Sequence, residues 1–117
     1  MMHVELRKTD DVVVVDLKGK LTAGLGDQIL RETIDELLAE NWKKILLNLS
    51  EVSFMDSAGV GELVAGLRTA QRFGAQLKLL NASERVHSTL YMARLLPVFE
   101  LCKTETDALA RFSGASS

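Results

Sequence analysis

The sequence has one cysteine, one proline, one tryptophan, one tyrosine and four phenylalanines among its 117 residues. A single thiol excludes an internal disulfide, and Cys102, in the run Val98-Phe99-Glu100-Leu101-Cys102, reads as a small buried hydrophobe. The two histidines, His3 and His87, are far apart, so with one cysteine they supply no clustered metal ligands. An excess of one charge is also missing. The chain carries 14 Lys+Arg against 16 Asp+Glu, a formal charge of −2. That balance gives no basic footprint for nucleic acid or an anionic membrane. No apolar run approaches the roughly 18 residues of a membrane span, so membrane insertion is not expected. Met1-Met2-His3-Val4-Glu5 lacks the basic and then apolar pattern of a secretion signal. Linkers, repeats and low-complexity stretches are absent too.

What is present is 47% hydrophobic and 26% charged, the balance of a globular chain of one-domain length. Residues 1–117 are expected to form a single domain in a reducing, cytoplasmic compartment, with about 113–117 as a frayed tail. Val4–Arg7 and Val12–Leu17 read as two strands around a polar turn at Asp10-Asp11, an antiparallel hairpin. Four consecutive valines, Val12–Val15, are too β-branched for a good helix. Gly19–Gly26 reads as a glycine-containing connection, with Asp27 as the cap of a helix. Ile29, Leu30, Thr33, Ile34, Leu37 and Leu38 form its apolar stripe, and Asn41 ends it. Trp42 is expected to pack at that helix end.

Ile45–Leu49 is the next buried strand, which makes a βαβ unit and predicts parallel pairing. The pattern repeats with a helix over Ser57–Phe73, Gly74 as its C′ residue, and a strand at Leu77–Leu80. Ser83 caps a third helix that Pro97 is expected to stop. Val98–Cys102 reads as a short fifth strand or extended chain. Thr104-x-x-Asp107 resembles a capping box before a last helix. The predicted class is α/β: a mixed four- to five-stranded sheet flanked by about four helices and covered chiefly on one face.

The informative segment is Phe54-Met55-Asp56-Ser57-Ala58-Gly59-Val60-Gly61. It places a helix N-terminus, with unpaired N–H groups, at the carboxyl end of a buried strand, where α/β sheets hold ligands and partners. Ala58, Gly59 and Gly61 leave the first turn bare for close approach. The plainer reading is that Asp56 or Ser57 only caps the helix and the glycines permit tight packing; composition does not separate the two.

This segment looks like the Asp-Ser-[Ser/Ala]-Gly-[Leu/Val]-Gly signature of the STAS domain family, which includes bacterial anti-sigma factor antagonists and cytoplasmic tails of sulfate transporters. Leu17-Lys18-Gly19-Lys20-Leu21 is similar to the family's strand-end Gly-x-Leu, and Ile45–Leu49, Gly74–Asn81 and Val86–Phe99 match further elements. The resemblance implies the STAS fold and a non-catalytic module without a cofactor of its own. It implies that Ser57 is the phosphorylated serine. The partner is then an anti-sigma factor with serine-kinase activity, which supplies ATP and Mg²⁺, and a phosphatase reverses the modification. Asp56, Ser57, Ala58, Gly59 and Gly61, with Thr22 and Gly24 from the earlier loop, are the expected partner-binding residues. Thr22 stands where such antagonists usually carry an Asp. Two other roles fit the same resemblance: constitutive docking on a membrane transporter or other signalling complex, and sensing of a small ligand or nucleotide.

Enzymatic readings fare worse. Met55 stands where a Gly-x-Ser-x-Gly nucleophile elbow needs its first glycine. Gly19 to Gly24 has the spacing of a phosphate loop but no Lys-[Ser/Thr] after it. Arg68, Arg72, Arg85 and Arg94 are placed on solvated helix faces.

Overall fold

The computed structural model of the protein describes residues 2–112, and the expected tail at 113–117 lies outside them. Five strands form one sheet in the order β1 (His3–Thr9), β2 (Val12–Leu21), β3 (Lys44–Met55), β4 (Gln76–Leu80), β5 (Leu101–Cys102). The helices are α1 (Gly26–Ala39), α2 (Ser57–Arg72), α3 (Glu84–Met92) and α4 (Glu105–Phe112), with a 3₁₀ turn at Leu96–Val98. β1 runs antiparallel to β2 at the edge, and β2 to β5 are mutually parallel. Each parallel step needs a crossover, and α1, α2 and α3 supply them. Of the run Val98–Cys102, only Leu101 and Cys102 pair as strand.

The four valines of β2 explain how the sheet is covered. Successive side chains point to opposite faces. Val13 and Val15 join Ile45, Leu47, Leu77 and Leu79 in the main core, with Leu30 and Ile34 of α1 and Leu63 of α2. Val12 and Val14 join Leu46, Leu80 and Cys102 in a second cluster, closed by Ala108 and Phe112 of α4. A run apolar at every position marks a strand buried on both faces. Lys78 is the polar exception on this second face: only 6% exposed, its Nζ lies 2.7 Å from Glu100 Oε1 and 5.2 Å from the centre of the Phe112 ring.

Helix ends differ from expectation where the backbone decides. α1 starts at Gly26 with Leu25 at the N-cap, so Asp27 does not cap it; its carboxylate accepts the Gln28 N–H within the first turn. A carboxylate there still suits the positive end of the helix dipole. α3 stops at Met92, well before Pro97, because Arg94 turns left-handed at φ 59°. The Arg94 N–H reaches the Tyr91 carbonyl and the Leu95 N–H reaches that of Leu90, both at 2.9 Å. These two bonds satisfy the last carbonyls as a Schellman closure, and Arg94 therefore lies beyond the helix. Asn41 (φ 70°) and Gly74 (φ 71°) close α1 and α2 in the same way. Trp42 is half-buried against the main core, as expected.

The departure that matters most lies between β2 and β3. Gly19, Lys20 and Leu21 belong to β2 and not to a connection, and β3 runs through Met55 instead of ending at Leu49. β4 pairs only with Lys44–Asn48 of β3. Beyond it, Lys18, Gly19, Lys20 and Leu21 pair with Glu51, Val52, Phe54 and Met55 as a two-stranded extension. The register shifts twice along this stretch, and Gly19 at φ 113° takes a conformation open to glycine at little cost.

Candidate functional site

The site sits at the tip of that extension, where β2 and β3 end side by side at Leu21 and Met55. Asp56 leaves β3 in an extended conformation and is the N-cap of α2. Its backbone N–H donates to the Leu21 carbonyl at 3.3 Å. One carboxylate oxygen accepts the Gly59 N–H and the other the Ala23 N–H, each at 3.0 Å. One side chain thus fastens the loop after β2 to the first turn of α2. The Ala23 N–H, and next the Gly59 N–H, favour the charged form and hold the Asp56 carboxyl below the ordinary carboxylate range.

Ser57 is the first residue of α2 and is exposed. Among the described residues no hydrogen-bond partner holds its hydroxyl. Ala58 is half-buried, and Gly61 is exposed with open space where a Cβ would stand. Across the tip, Thr22 is half-buried and its carbonyl accepts the Asp27 N–H at 3.0 Å, which turns the loop into α1. Gly24 is exposed at φ 103°, a left-handed position that disfavours any side chain.

Gly59 requires a correction. It is buried, and a Cβ there would stand 2.2 Å from the Leu21 carbonyl oxygen and 2.8 Å from Met55 Cγ. Its bareness admits the end of β2, not another molecule. Gly26 of α1 does the same from the other side, 2.5 Å from the Lys20 carbonyl oxygen. The structure therefore gathers Thr22, Gly24, Asp56, Ser57, Ala58 and Gly61 at one surface, with Gly59 beneath them as packing.

Sequence reasoning missed the second wall of the site. A groove of about 530 Å³ beside Ser57 is lined by Met55, Val60, Arg85, Thr89 and Met92, so α3 faces α2 across it. The Arg85 guanidinium lies 5.9 Å from the ring centre of Phe54, itself 38% exposed. Ser83 anchors this wall: its hydroxyl accepts the Val86 N–H at 3.3 Å and donates to the Val52 carbonyl at 2.9 Å. The cap signal was visible in the sequence, but its tie to the β3 extension was not.

Chemically, the groove offers an exposed hydroxyl at a positive helix end. No histidine, lysine or cysteine lines it, and the one carboxylate has both oxygens on backbone N–H groups. The Ser57 hydroxyl has no base beside it and suits being acted upon more than acting. Among the described residues no three His, Cys, Asp or Glu side chains converge as metal ligands, and no helix is long and apolar enough to cross a membrane.

A mixed sheet with a parallel core, an antiparallel edge strand and a helix springing from an Asp-Ser turn at its tip defines a single α/β architecture. The chain belongs to the STAS domain family, whose model matches residues 3–108. It is similar to the anti-sigma-B factor antagonist of Bacillus subtilis, 31% identical over 85 residues that span 73% of this chain and 76% of the relative. Among solved structures it resembles the anti-sigma factor antagonist SpoIIAA in its unphosphorylated form, with a TM-score of 0.78 and 28% identity over 96% of this chain and 97% of that one. The Bacillus cell fate determinant SpoIIAA in the phosphorylated form matches with a TM-score of 0.72 and 27% identity, covering 94% and 99%.

Proposed function

We propose that the protein is an anti-sigma factor antagonist, a non-catalytic module that binds an anti-sigma factor while Ser57 is unmodified and releases it when Ser57 is phosphorylated. The anti-sigma factor carries the serine-kinase activity and supplies ATP and Mg²⁺, and a phosphatase resets the switch. The contact surface is the exposed part of the Phe54–Gly61 turn, with Thr22 and Gly24 beside it. The observation that carries the reading is the place of Ser57: exposed, at the first position of α2, with Asp56 fixing both loops around it. The names of the relatives above support it.

The switch follows from electrostatics. Phosphorylation adds about −1.5 to −2 charges and three acceptor oxygens. The free chain tolerates them at the N-terminus of α2. A bound partner would have to cover that charge, and desolvating it without a cation opposite costs several kcal/mol. That is enough to abolish a micromolar complex, worth about 8 kcal/mol.

The test is titration calorimetry of the wild type and Ser57→Asp against the serine-kinase anti-sigma factor encoded in the same genome. The wild type should bind, and the variant should bind at least about 100-fold more weakly, a loss of roughly 2.7 kcal/mol. Equal affinities would refute the switch.

A further inference from the structure

The groove beside Ser57 has a charge pattern that the switch does not use. Of the seven arginines in the chain, Arg7, Arg31 and Arg111 each hold a carboxylate. Among the described residues Arg68, Arg72, Arg85 and Arg94 hold none, and all four lie on α2, on α3 or at its C-terminal turn. Arg85 lines the groove, and Arg94 lines a neighbouring hollow that shares Met92, with Tyr91 and Pro97. Arg68 and Arg72 are exposed about three and four helical turns along α2 from Ser57, where they line a separate hollow with Gln71. In a chain of net charge −2, Arg85 and Arg94 place two unpaired cations on the α3 side of the groove. A cluster of acidic residues, Glu32, Asp35, Glu36 and Glu40, lies on and just after α1, while Glu84 precedes Arg85 on α3 and Asp56 lines the groove.

The groove between the two helices is apolar at its base, where Met55 is buried and Val60 half-buried. At the α3 rim, Tyr91 is 66% and Met92 78% exposed. Aromatic, methionine and arginine side chains around an apolar floor are the composition of a docking surface. A polyanion would need cations without the apolar floor, and the acidic remainder of the chain would repel it.

We propose that the groove between α2 and α3 takes an acidic amphipathic segment of the partner, its apolar side chains on Val60 and Met92 and its carboxylates on Arg85 and Arg94. This names the chemistry of the partner and rests on the reading that this end of the molecule binds one. Asp56 is the one carboxylate in the groove lining, and both its oxygens are engaged by the Ala23 and Gly59 N–H groups at the positive end of α2.

The experiment uses the full chain and a labelled synthetic helical peptide with Leu at i, i+3, i+4 and i+7 and Glu elsewhere. A lysine version and a single-stranded DNA oligonucleotide serve as controls. The acidic peptide should shift the amide resonances of Val60, Arg85 and Met92. The double variant Arg85→Glu/Arg94→Glu should weaken it at least about tenfold and gain binding of the lysine peptide, which also shows that the variant is folded. Acidic-peptide binding that is absent, or unchanged in the double variant, overturns the proposal, as does tighter binding of the DNA. Ser57→Asp separates the two readings: if it leaves peptide binding intact while the arginine variant abolishes it, the switch fails and the groove stands.

Discussion

Gly59 and Gly61 lie two residues apart in α2 and have opposite surroundings. A Cβ at Gly59 meets the Leu21 carbonyl at 2.2 Å, while one at Gly61 meets nothing within 4 Å. Gly59→Ala must push the start of α2 off the end of β2, and overpacking of this kind costs typically 1–3 kcal/mol. Gly61→Ala removes a helix-interior glycine without a clash and should stabilise by up to about 1 kcal/mol. Thermal unfolding of the two variants checks this: Gly59→Ala should melt below and Gly61→Ala above the wild type. The signature made both glycines visible in the sequence. Their different duties were not, because what Gly59 touches is the end of another strand. Arg85 was illegible for the same reason, as its place beside Ser57 depends on how α3 returns across β3.

At the scale of elements, the periodic parts of the chain read well and the polar parts did not. The valine run, Ile45–Leu49 and Leu77–Leu80 formed the expected parallel strands, and the stripes of α1 and α2 face the main core. The extension of β2 and β3 escaped notice because Lys18-Gly19-Lys20 and Ser50-Glu51 have neither apolar alternation nor strand propensity. Pairing with each other, not burial, keeps them extended.

α4 closes the second face through a charged seam, where Glu100 accepts Lys78 at 2.7 Å and faces Arg111 at 3.4 Å. Lys78 first, then Arg111, hold the Glu100 carboxyl below its ordinary range. The stabilisation is therefore full above the unfolded-state carboxylate pKa, about 4.3, and is lost as pH falls through the folded value. Glu100→Gln should be less stable than wild type at neutral pH, by less than the roughly 3–5 kcal/mol of a fully buried pair, because the Glu100 side chain is 42% exposed. Denaturant unfolding from pH 7 to pH 3 should bring the two curves together at the acid end. A constant gap would show that the seam does not act through the charge of Glu100.

Across the whole molecule, the sheet acts as a platform that carries one feature outward. β1 and β5 edge it, α1, α2 and α3 cover one face and α4 the other, and only the paired ends of β2 and β3 project beyond β4 to hold the Asp56-Ser57 turn. α3, anchored at Val52 by Ser83, walls the same turn. Family membership accounts for this architecture, and in the proposed switch the turn is where a single added phosphate would meet the partner's surface. Thr22 sits half-buried at the same tip. Intact mass spectrometry of the protein isolated from its own cells, beside a Ser57→Ala variant, tests the central claim most directly. The account predicts a species heavier by one phosphate in the wild type and absent in the variant, with peptide fragmentation placing the phosphate on Ser57. A wild type without phosphate through growth, starvation and stress alike would contradict it.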